Sequence, residues 1–122
     1  MISPILATED PYVAKQEFLR SGWELLFETP RNSEDKLACV KIDSVQVLLG
    51  SGYPNFISVE AWPFRGAGVD IYIEFESAGI IESVYKNHKD ANTAVDKLSD
   101  KPWGVKGFHA KICGYSFFFA GK

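Results

Sequence analysis

The chain has 122 residues, a length suited to one domain of the usual ~100–150 residues. It is 46% hydrophobic and 24% charged with a net charge of −3, which argues against intrinsic disorder and against the basic surface of a nucleic-acid-binding protein. No apolar run reaches the ~18 residues needed to cross a bilayer, so a membrane is not an expected partner. Because the charge is not basic, nucleic acid is not an expected partner either.

The first part of the chain predicts a strand, a helix and three further strands. Residues 2–8 are apolar without a helical period and indicate a short buried strand. Asp10-Pro11 is a typical helix start, with aspartate as the N-cap and proline at the first helical position, and Gly22 ends the helix. The apolar stripe of this helix is predicted at Val13, Ala14 and Phe18. The three strands are predicted over residues 23–29, 37–42 and 45–49.

The same order of elements returns after a loop. Residues 50–68 are rich in glycine and proline and predict a linking segment. Residues 69–75 alternate between apolar and polar side chains, as a half-buried strand does. Ser77 is the predicted N-cap of a second helix that has apolar residues spaced at three and four up to His88. Three strands follow over residues 92–96, 107–111 and 115–119, so the chain contains an internal repeat.

This doubled pattern is accompanied by short motifs in a fixed order. They are Pro4-Ile5-Leu6, Asp10-Pro11, Phe18-Leu19, Gly22-Trp23, the strand at 69–74, Pro102-Trp103-Gly104, Phe108 and Gly114-Tyr115. In this order and spacing the chain resembles the vicinal oxygen chelate superfamily of glyoxalases, bleomycin-resistance proteins and ring-cleaving dioxygenases, and in character the metal-free bleomycin-resistance proteins. Ile112-Cys113 stands where the superfamily usually has an Asp-Pro turn, which leaves the register of the last strand open by about one residue.

The resemblance implies an α+β fold of two tandem βαβββ modules, which form a cleft of curved mixed sheets. Module one would span residues 1–50, the linker 51–67 and module two 68–122. Members of the superfamily commonly form homodimers in which the partner chain completes the cleft. Because the superfamily contains both metalloenzymes and metal-free binders, the fold does not decide the function.

The resemblance also implies which positions would hold a metal ion. Metalloenzymes of the superfamily draw ligands from four strand positions, which correspond here to Ser3, Leu48, Asp70 and Phe118. Only Asp70 is a good ligand, whereas a divalent ion requires three or four His, Asp, Glu or Cys donors. A shift by one residue gives Pro4, Leu49, Ile71 and Phe117 or Phe119. His88 is expected to be an ordinary helix histidine, and His109 beside one aspartate makes a poor site, so no metal, cofactor or catalytic residue is predicted.

Strand alternation divides the side chains into two faces. The predicted cleft face contains Ser3, Ile5, Ala7, Gln46, Leu48, Asp70, Tyr72, Glu74, Ser116 and Phe118. The opposite face is apolar and predicts the core under the helices, with Val45, Val47, Leu49, Val69, Ile71, Ile73, Phe75, Phe117 and Phe119. Asp70 and Glu74 beside Tyr72 argue against a dry core, because unpaired buried carboxylates cost several kcal/mol. Solvation, or pairing with Lys111 or Arg65, is the alternative role of these carboxylates.

Large aromatic side chains lie in predicted loops. Trp62, Phe64 and Trp103 suit stacking against a flat ligand, and their alternative role is a dimer interface or a cover for the end of the sheet. The predicted ligand-binding residues are Gln46, Leu48, Trp62, Phe64, Asp70, Tyr72, Glu74, Trp103, Phe108, His109 and Phe118.

Three functions follow as hypotheses. The first is a non-enzymatic binder that sequesters a cationic or amphipathic aromatic ligand, such as a bleomycin-like antibiotic, in an aromatic and acidic groove at the interface of a homodimer. The second is a glyoxalase- or dioxygenase-like lyase or isomerase with an atypical or lost metal site, or with Asp70 as general base assisted by His109 or Tyr72. The third is a subunit whose dimer surface is itself the function.

The cysteines and the start of the chain bear on location. Cys39 and Cys113 lie far apart without a CxxC spacing and are expected to be reduced thiols. Met1-Ile2-Ser3-Pro4 lacks the basic and apolar regions of a secretion signal. Together they predict a cytoplasmic protein.

Overall fold

The computed structural model describes residues 1–51 and 57–122, so residues 52–56 of the predicted linker lie outside the described residues. The chain divides into two units, of which the first contains residues 1–19 and 23–65 and the second contains residues 20–22 and 66–122. Each unit contains one four-stranded sheet. Two sheets of this kind with two helices confirm the predicted α+β fold. The predicted module boundaries stay a prediction.

The first unit contains a mixed sheet. Its elements are β1 (Ile5–Thr8), α1 (Pro11–Arg20), β2 (Glu24–Glu28), β3 (Leu37–Ile42) and β4 (Val45–Ser51). The strand order is β1-β4-β3-β2, with β1 parallel to β4 and the other pairs antiparallel. The first strand is shorter than predicted, because its pairing with β4 begins only at Ile5, opposite Leu48, and Ile5 is exposed rather than buried.

The start of α1 confirms the predicted cap. The Asp10 carboxylate accepts a hydrogen bond from the backbone N–H of Tyr12 at 2.9 Å. The predicted apolar stripe is wrong at Val13, which is exposed, while Lys15 is buried in its place. Lys15 tolerates this burial because its ammonium group pairs with the Glu28 carboxylate at the end of β2.

The second unit repeats the order of the first. Its elements are β5 (Asp70–Glu74), α2 (Ile80–Asp90), β6 (Ser99–Asp100), β7 (Lys106–Ile112) and β8 (Tyr115–Gly121). The strand order is β5-β8-β7-β6, and β5 runs parallel to β8. Val69 precedes β5 and is exposed, so its predicted place in the core is wrong.

Two further predictions for this unit are wrong at their boundaries. The N-cap of α2 is Gly79 rather than Ser77, because Gly79 turns the chain with a φ of 85° and donates its N–H to the Lys122 carbonyl at 3.0 Å. Residues 92–96 form no strand and pair with β7 only through a bridge between Ala94 and Ala110. Beyond that bridge the Asp96 side chain, rather than its backbone, bonds to β7.

A two-residue turn joins β7 to β8 and settles the register of the last strand. Cys113 and Gly114 both have positive φ values, 54° and 83°, as the tight turns of twisted hairpins require. Ile112 therefore pairs with Tyr115, and the ladder continues to Phe118 opposite His109.

The core of the second unit lies between α2 and its sheet. Ile73, Phe75, Phe117 and Phe119 are buried, as alternation predicts for that face. His88 of α2 is fully buried beside them, with its ring 4.7 Å from that of Phe119 and its Nδ1 2.6 Å from the Val84 carbonyl oxygen. Desolvation by this burial lowers the pKa of His88 and outweighs the effect of that hydrogen bond.

Neither helix in the described part of the chain is long and apolar enough to span a membrane. The cytoplasmic location stays a prediction. Cys39 is buried within β3, and desolvation raises the pKa of its thiol.

Candidate functional site

A cavity of about 360 Å³ opens in the second unit on the sheet face that alternation places opposite α2. It is lined by Asp70, Tyr72, Lys101, Trp103, His109 and Phe118. Five of these six residues belong to the ligand-binding set predicted from the sequence, and Lys101 does not.

The strand register places three rings in one row across the sheet. Phe118 of β8 pairs with Tyr72 of β5 on one side and with His109 of β7 on the other. Cross-strand partners share a face of the sheet, so their side chains meet. The Tyr72 and Phe118 rings stack at 5.5 Å and 6°, and the His109 ring meets Phe118 edge-on at 4.7 Å and 76°. These rings form the floor of the cavity.

Gly107 makes room for the central ring of this floor. It lies two residues before His109 in β7, so alternation assigns it to the same face. A Cβ at this position would stand 2.6 Å from Cζ of Phe118. The floor therefore depends on a glycine, a residue that is not among those predicted from the sequence to form the site.

Trp103 forms a wall of the cavity. It lies in the tight loop between β6 and β7, where Gly104 has a φ of 94°. Its ring lies 5.8 Å from that of Phe118, and its Nε1–H donates a hydrogen bond to the Tyr72 hydroxyl at 3.1 Å. The loop aromatic is thus tied to the rigid sheet.

Glu74 accepts the last hydrogen bond in the series from Trp103 through Tyr72. The Tyr72 hydroxyl donates to Oε1 of Glu74 at 2.6 Å. This bond to a carboxylate raises the pKa of Tyr72, so the phenol keeps its proton at neutral pH. Glu74 does not line the cavity itself, and what it does is orient Tyr72 and, through it, Trp103.

Asp96 holds His109 at two points. Its Oδ1 accepts the backbone N–H of His109 at 2.6 Å, and its Oδ2 lies 2.8 Å from Nδ1 of the ring. Desolvation raises the pKa of Asp96, but these hydrogen bonds and the charges of His109 and Lys101 outweigh it, so the net pKa is lowered. Asp96 is therefore a carboxylate at neutral pH. Asp96 is not among the residues predicted from the sequence, because no motif marks it.

The cavity contains side chains of both charges. Asp70 is the first residue of β5, one row before Tyr72 on the same face. The Lys101 ammonium lies 5.6 Å from the centre of the Phe118 ring, a cation–π distance. The lining therefore contains aromatic rings, one carboxylate and one ammonium group, and the ammonium group is absent from the aromatic and acidic groove predicted from the sequence.

The prediction for Phe108 is wrong. It is fully buried on the α2 side of the sheet, with its ring 5.1 Å from that of Tyr85 and 5.3 Å from that of Phe119. Successive residues of a strand point to opposite faces, so Phe108 and His109 cannot both line the cavity.

The remaining predicted residues belong to the first unit. Trp62 begins a short 3-10 turn and is largely buried, with the Arg65 guanidinium 4.4 Å from the centre of its ring. Phe64 in the same turn is exposed. Gln46 and Leu48 are half-buried on β4. Their role in ligand binding stays a prediction.

The side chains that line the cavity do not fit a metal ion. Leu48 and Phe118, at two of the positions that correspond to ligands in the superfamily, carry no donor atom. In the cavity, His109 already bonds to Asp96 through Nδ1, which leaves Asp70 and one imidazole nitrogen as donors. Across residues 1–51 and 57–122, no three His, Cys, Asp or Glu side chains are grouped as a metal requires.

Comparison with known proteins shows the fold. No family model matches the sequence, and no curated protein matches it. Among solved structures, TioX from Micromonospora sp. ML1 is 21% identical, with 100% of this chain and 95% of that chain covered and a TM-score of 0.70. A bleomycin-binding protein complexed with bleomycin is 10% identical, with 100% and 98% covered and a TM-score of 0.68.

A third similar structure bears the name of the superfamily. It is a member of the glyoxalase/bleomycin resistance protein/dioxygenase superfamily from Sphaerobacter thermophilus DSM 20745, 18% identical, with 98% and 94% covered and a TM-score of 0.63. The chain therefore has the glyoxalase/bleomycin-resistance fold, and the resemblance inferred from the sequence is confirmed at this level. At such identities the likeness extends to the fold alone.

Proposed function

We propose that this chain is a non-enzymatic small-molecule-binding protein that sequesters a flat aromatic ligand in the cavity of the second unit. The observation that carries the proposal is the aromatic lining, in which Trp103 and Tyr72 lie beside the Phe118 floor and are tied together by a hydrogen bond. Trp103 is 56% exposed and Tyr72 is 49% exposed, which leaves large aromatic surfaces open for a ligand to cover.

The physical gain comes from burial and preorganisation. Covering apolar surface contributes about 25 cal/mol per Å², and stacked rings add to it. The hydrogen bonds from Trp103 to Tyr72 and from Tyr72 to Glu74 hold the rings before the ligand arrives, so little side-chain entropy is lost on binding.

The lining favours an amphipathic aromatic ligand whose positive charge lies near Asp70. Asp70 attracts that charge, and the ring faces of Trp103 and Tyr72 do the same through their quadrupoles, while the Lys101 ammonium suits a polar or negative group of the same ligand. A neighbour of this fold is described as a bleomycin-binding protein complexed with bleomycin, which supports a bleomycin-like antibiotic as one probe.

A homodimer is part of the proposal. The edge strand β2 exposes Leu25, Leu26 and Phe27, and exposed apolar edge strands are surfaces that proteins usually cover. A symmetric pair would present two equivalent ligand sites.

Isothermal titration with bleomycin and with proflavine, a flat tricyclic cation, tests the proposal. Trp103→Ala should weaken binding at least tenfold, because truncating a central aromatic anchor removes about 2 kcal/mol or more. Val13→Ala, at an exposed position on α1, is the matched control and should leave the affinity unchanged. Equal affinity in wild type and Trp103→Ala, or no binding of either probe, contradicts the proposal.

A second candidate function is a lyase or isomerase, and one observation favours it. Asp70, Tyr72 and His109 line one cavity, so a carboxylate, a phenol and an imidazole are available there for proton transfer. Elemental analysis of the purified protein together with chromatography of recovered ligand separates the two functions. Stoichiometric zinc, nickel, manganese or iron, or a chemically altered ligand, favours the enzyme.

A further inference from the structure

The Asp96 side chain completes the pairing of β7 with the segment beside it. The Lys111 N–H donates to the Thr93 carbonyl at 2.8 Å, and the Val95 N–H donates to the His109 carbonyl at 2.8 Å. At the next step the His109 N–H meets Oδ1 of Asp96 at 2.6 Å instead of a backbone carbonyl. The carboxylate is therefore held at the sheet edge by the same ladder that positions His109.

This arrangement determines which nitrogen of His109 carries the proton in the neutral ring. Asp96 is ionised and can only accept, so Nδ1, at 2.8 Å from Oδ2, must be the donor. Nε2 is then left as an acceptor on the far side of the ring from Asp96. None of the residues that the structure describes bonds to Nε2, and the ring lines the cavity.

We infer that Nε2 of His109 selects ligands that carry an amino or hydroxyl substituent as a hydrogen-bond donor on their aromatic ring, and that Asp96 is the positioning residue for this contact. The inference rests on the proposed function, since it specifies the ligand class for the same cavity. In this arrangement the flat face of the ligand lies over the Phe118 ring. The His109 ring, which meets Phe118 edge-on, then contacts the substituents at the ligand's edge.

Asp96 also has a structural role, and one substitution separates the two roles. In Asp96→Asn the amide oxygen still accepts the His109 N–H, so the sheet edge is preserved. Its amide nitrogen donates to Nδ1, which moves the ring proton to Nε2 and presents a donor to the cavity instead of an acceptor. A purely structural role predicts no effect of this isosteric change on ligand preference.

Two related dyes provide the probe. Proflavine carries two primary amines on a flat cationic ring system, and acridine orange is the same system with both amines dimethylated. The ring N–H of the cation is present in both dyes, so the amine N–H donors are present in proflavine alone. Wild type should bind proflavine about fivefold more tightly, the effect of one net hydrogen bond. The preference should disappear in Asp96→Asn and in His109→Phe, while Asp90→Asn, an exposed change of the same charge on α2, should keep it.

A measurement on the ligand-free protein tests the tautomer independently. Long-range proton–nitrogen NMR of the His109 ring should show the proton on Nδ1 in wild type and on Nε2 in Asp96→Asn. The inference is overturned if the wild-type ring carries its proton on Nε2 when neutral, or if Asp96→Asn retains the dye preference. Binding of both dyes without preference overturns this inference alone, whereas binding of neither overturns the proposed function as well.

Discussion

The backbone of Gly107 lies directly against the ring of Phe118, so close that a Cβ would stand 2.6 Å from Cζ and 2.8 Å from Cε1. Because Phe118 is only 7% exposed and contacts Tyr72, Trp103 and His109, its ring cannot move without disturbing the cavity. Gly107 therefore limits where the Phe118 ring at the centre of the cavity can lie.

Gly107→Ala should lower both stability and ligand affinity. The added methyl group overpacks the floor, which costs about 1–3 kcal/mol, and it displaces the Phe118 ring. Urea unfolding and titration with proflavine measure the two effects. Gly50→Ala on β4 is the matched control, because its Cβ would meet nothing closer than 3.4 Å. Unchanged affinity in Gly107→Ala would show that the floor does not form the binding surface.

Tyr72→Phe should weaken ligand binding about three- to fivefold while the stack on Phe118 persists. The substitution removes the hydroxyl that accepts from Trp103 and donates to Glu74. The Trp103 indole then loses the hydrogen bond that orients its ring in the cavity. Titration calorimetry gives the affinity. Tyr85→Phe, whose ring packs against Phe108 on the other side of the sheet, is the control. Equal losses in both variants would contradict a specific role for the Tyr72 hydroxyl.

Stability should fall as the pH drops through the range controlled by His88. Burial lowers the pKa of this histidine in the folded state below its unfolded value of ~6.5. Above ~6.5 both states are neutral and the contribution is fully present; below it the unfolded state binds the proton first, and stability is lost until the folded-state pKa is reached.

Urea unfolding at several pH values measures this effect. His88→Leu should be less stable than wild type at pH ~7.5, because Val84 loses a hydrogen bond, yet its stability should fall less steeply between about 6.5 and 5. A wild-type slope that matches that of His88→Leu over this range would contradict the assignment.

Leu26→Lys on the edge strand β2 should convert the proposed homodimer into a monomer. A lysine in an apolar contact between two chains costs several kcal/mol because its charge loses water without gaining a partner. Light scattering coupled to size-exclusion chromatography measures the mass. Val13→Lys, at an exposed apolar position on α1, should not change it. A wild-type chain that is monomeric at all concentrations would rule out the dimer.

Local signals predicted much of the fold. The Asp10-Pro11 helix start and the alternation in β5 depend on neighbouring residues, and both were predicted correctly. Ser77 was a reasonable N-cap on local grounds, but the position of Gly79 is decided by its hydrogen bond to Lys122, far along the chain. The strand predicted at 92–96 is reduced to one bridge, because the Asp96 side chain takes the place of a backbone carbonyl at the step where the ladder with β7 would continue.

The site was less predictable than the fold. Alternation correctly placed Tyr72 and Phe118 on one face, since that rule is local. It also separates Phe108 from His109, so including both in one site contradicted the rule itself. Lys101 and Asp96 have no sequence signal, because their roles come from distances across loops that no spacing encodes.

Three consecutive phenylalanines, Phe117 to Phe119, occupy the middle of β8, so hydrophobicity alone leaves the orientation of that strand undetermined. The short connection through Cys113 and Gly114 removes this ambiguity by aligning Ile112 with Tyr115. If a longer connection let β8 slide by one residue, its two faces would exchange: two phenylalanine rings would face the cavity and one would replace them beneath the helix. The identity of the ring that faces the cavity is thus decided by the length of the turn that precedes the strand.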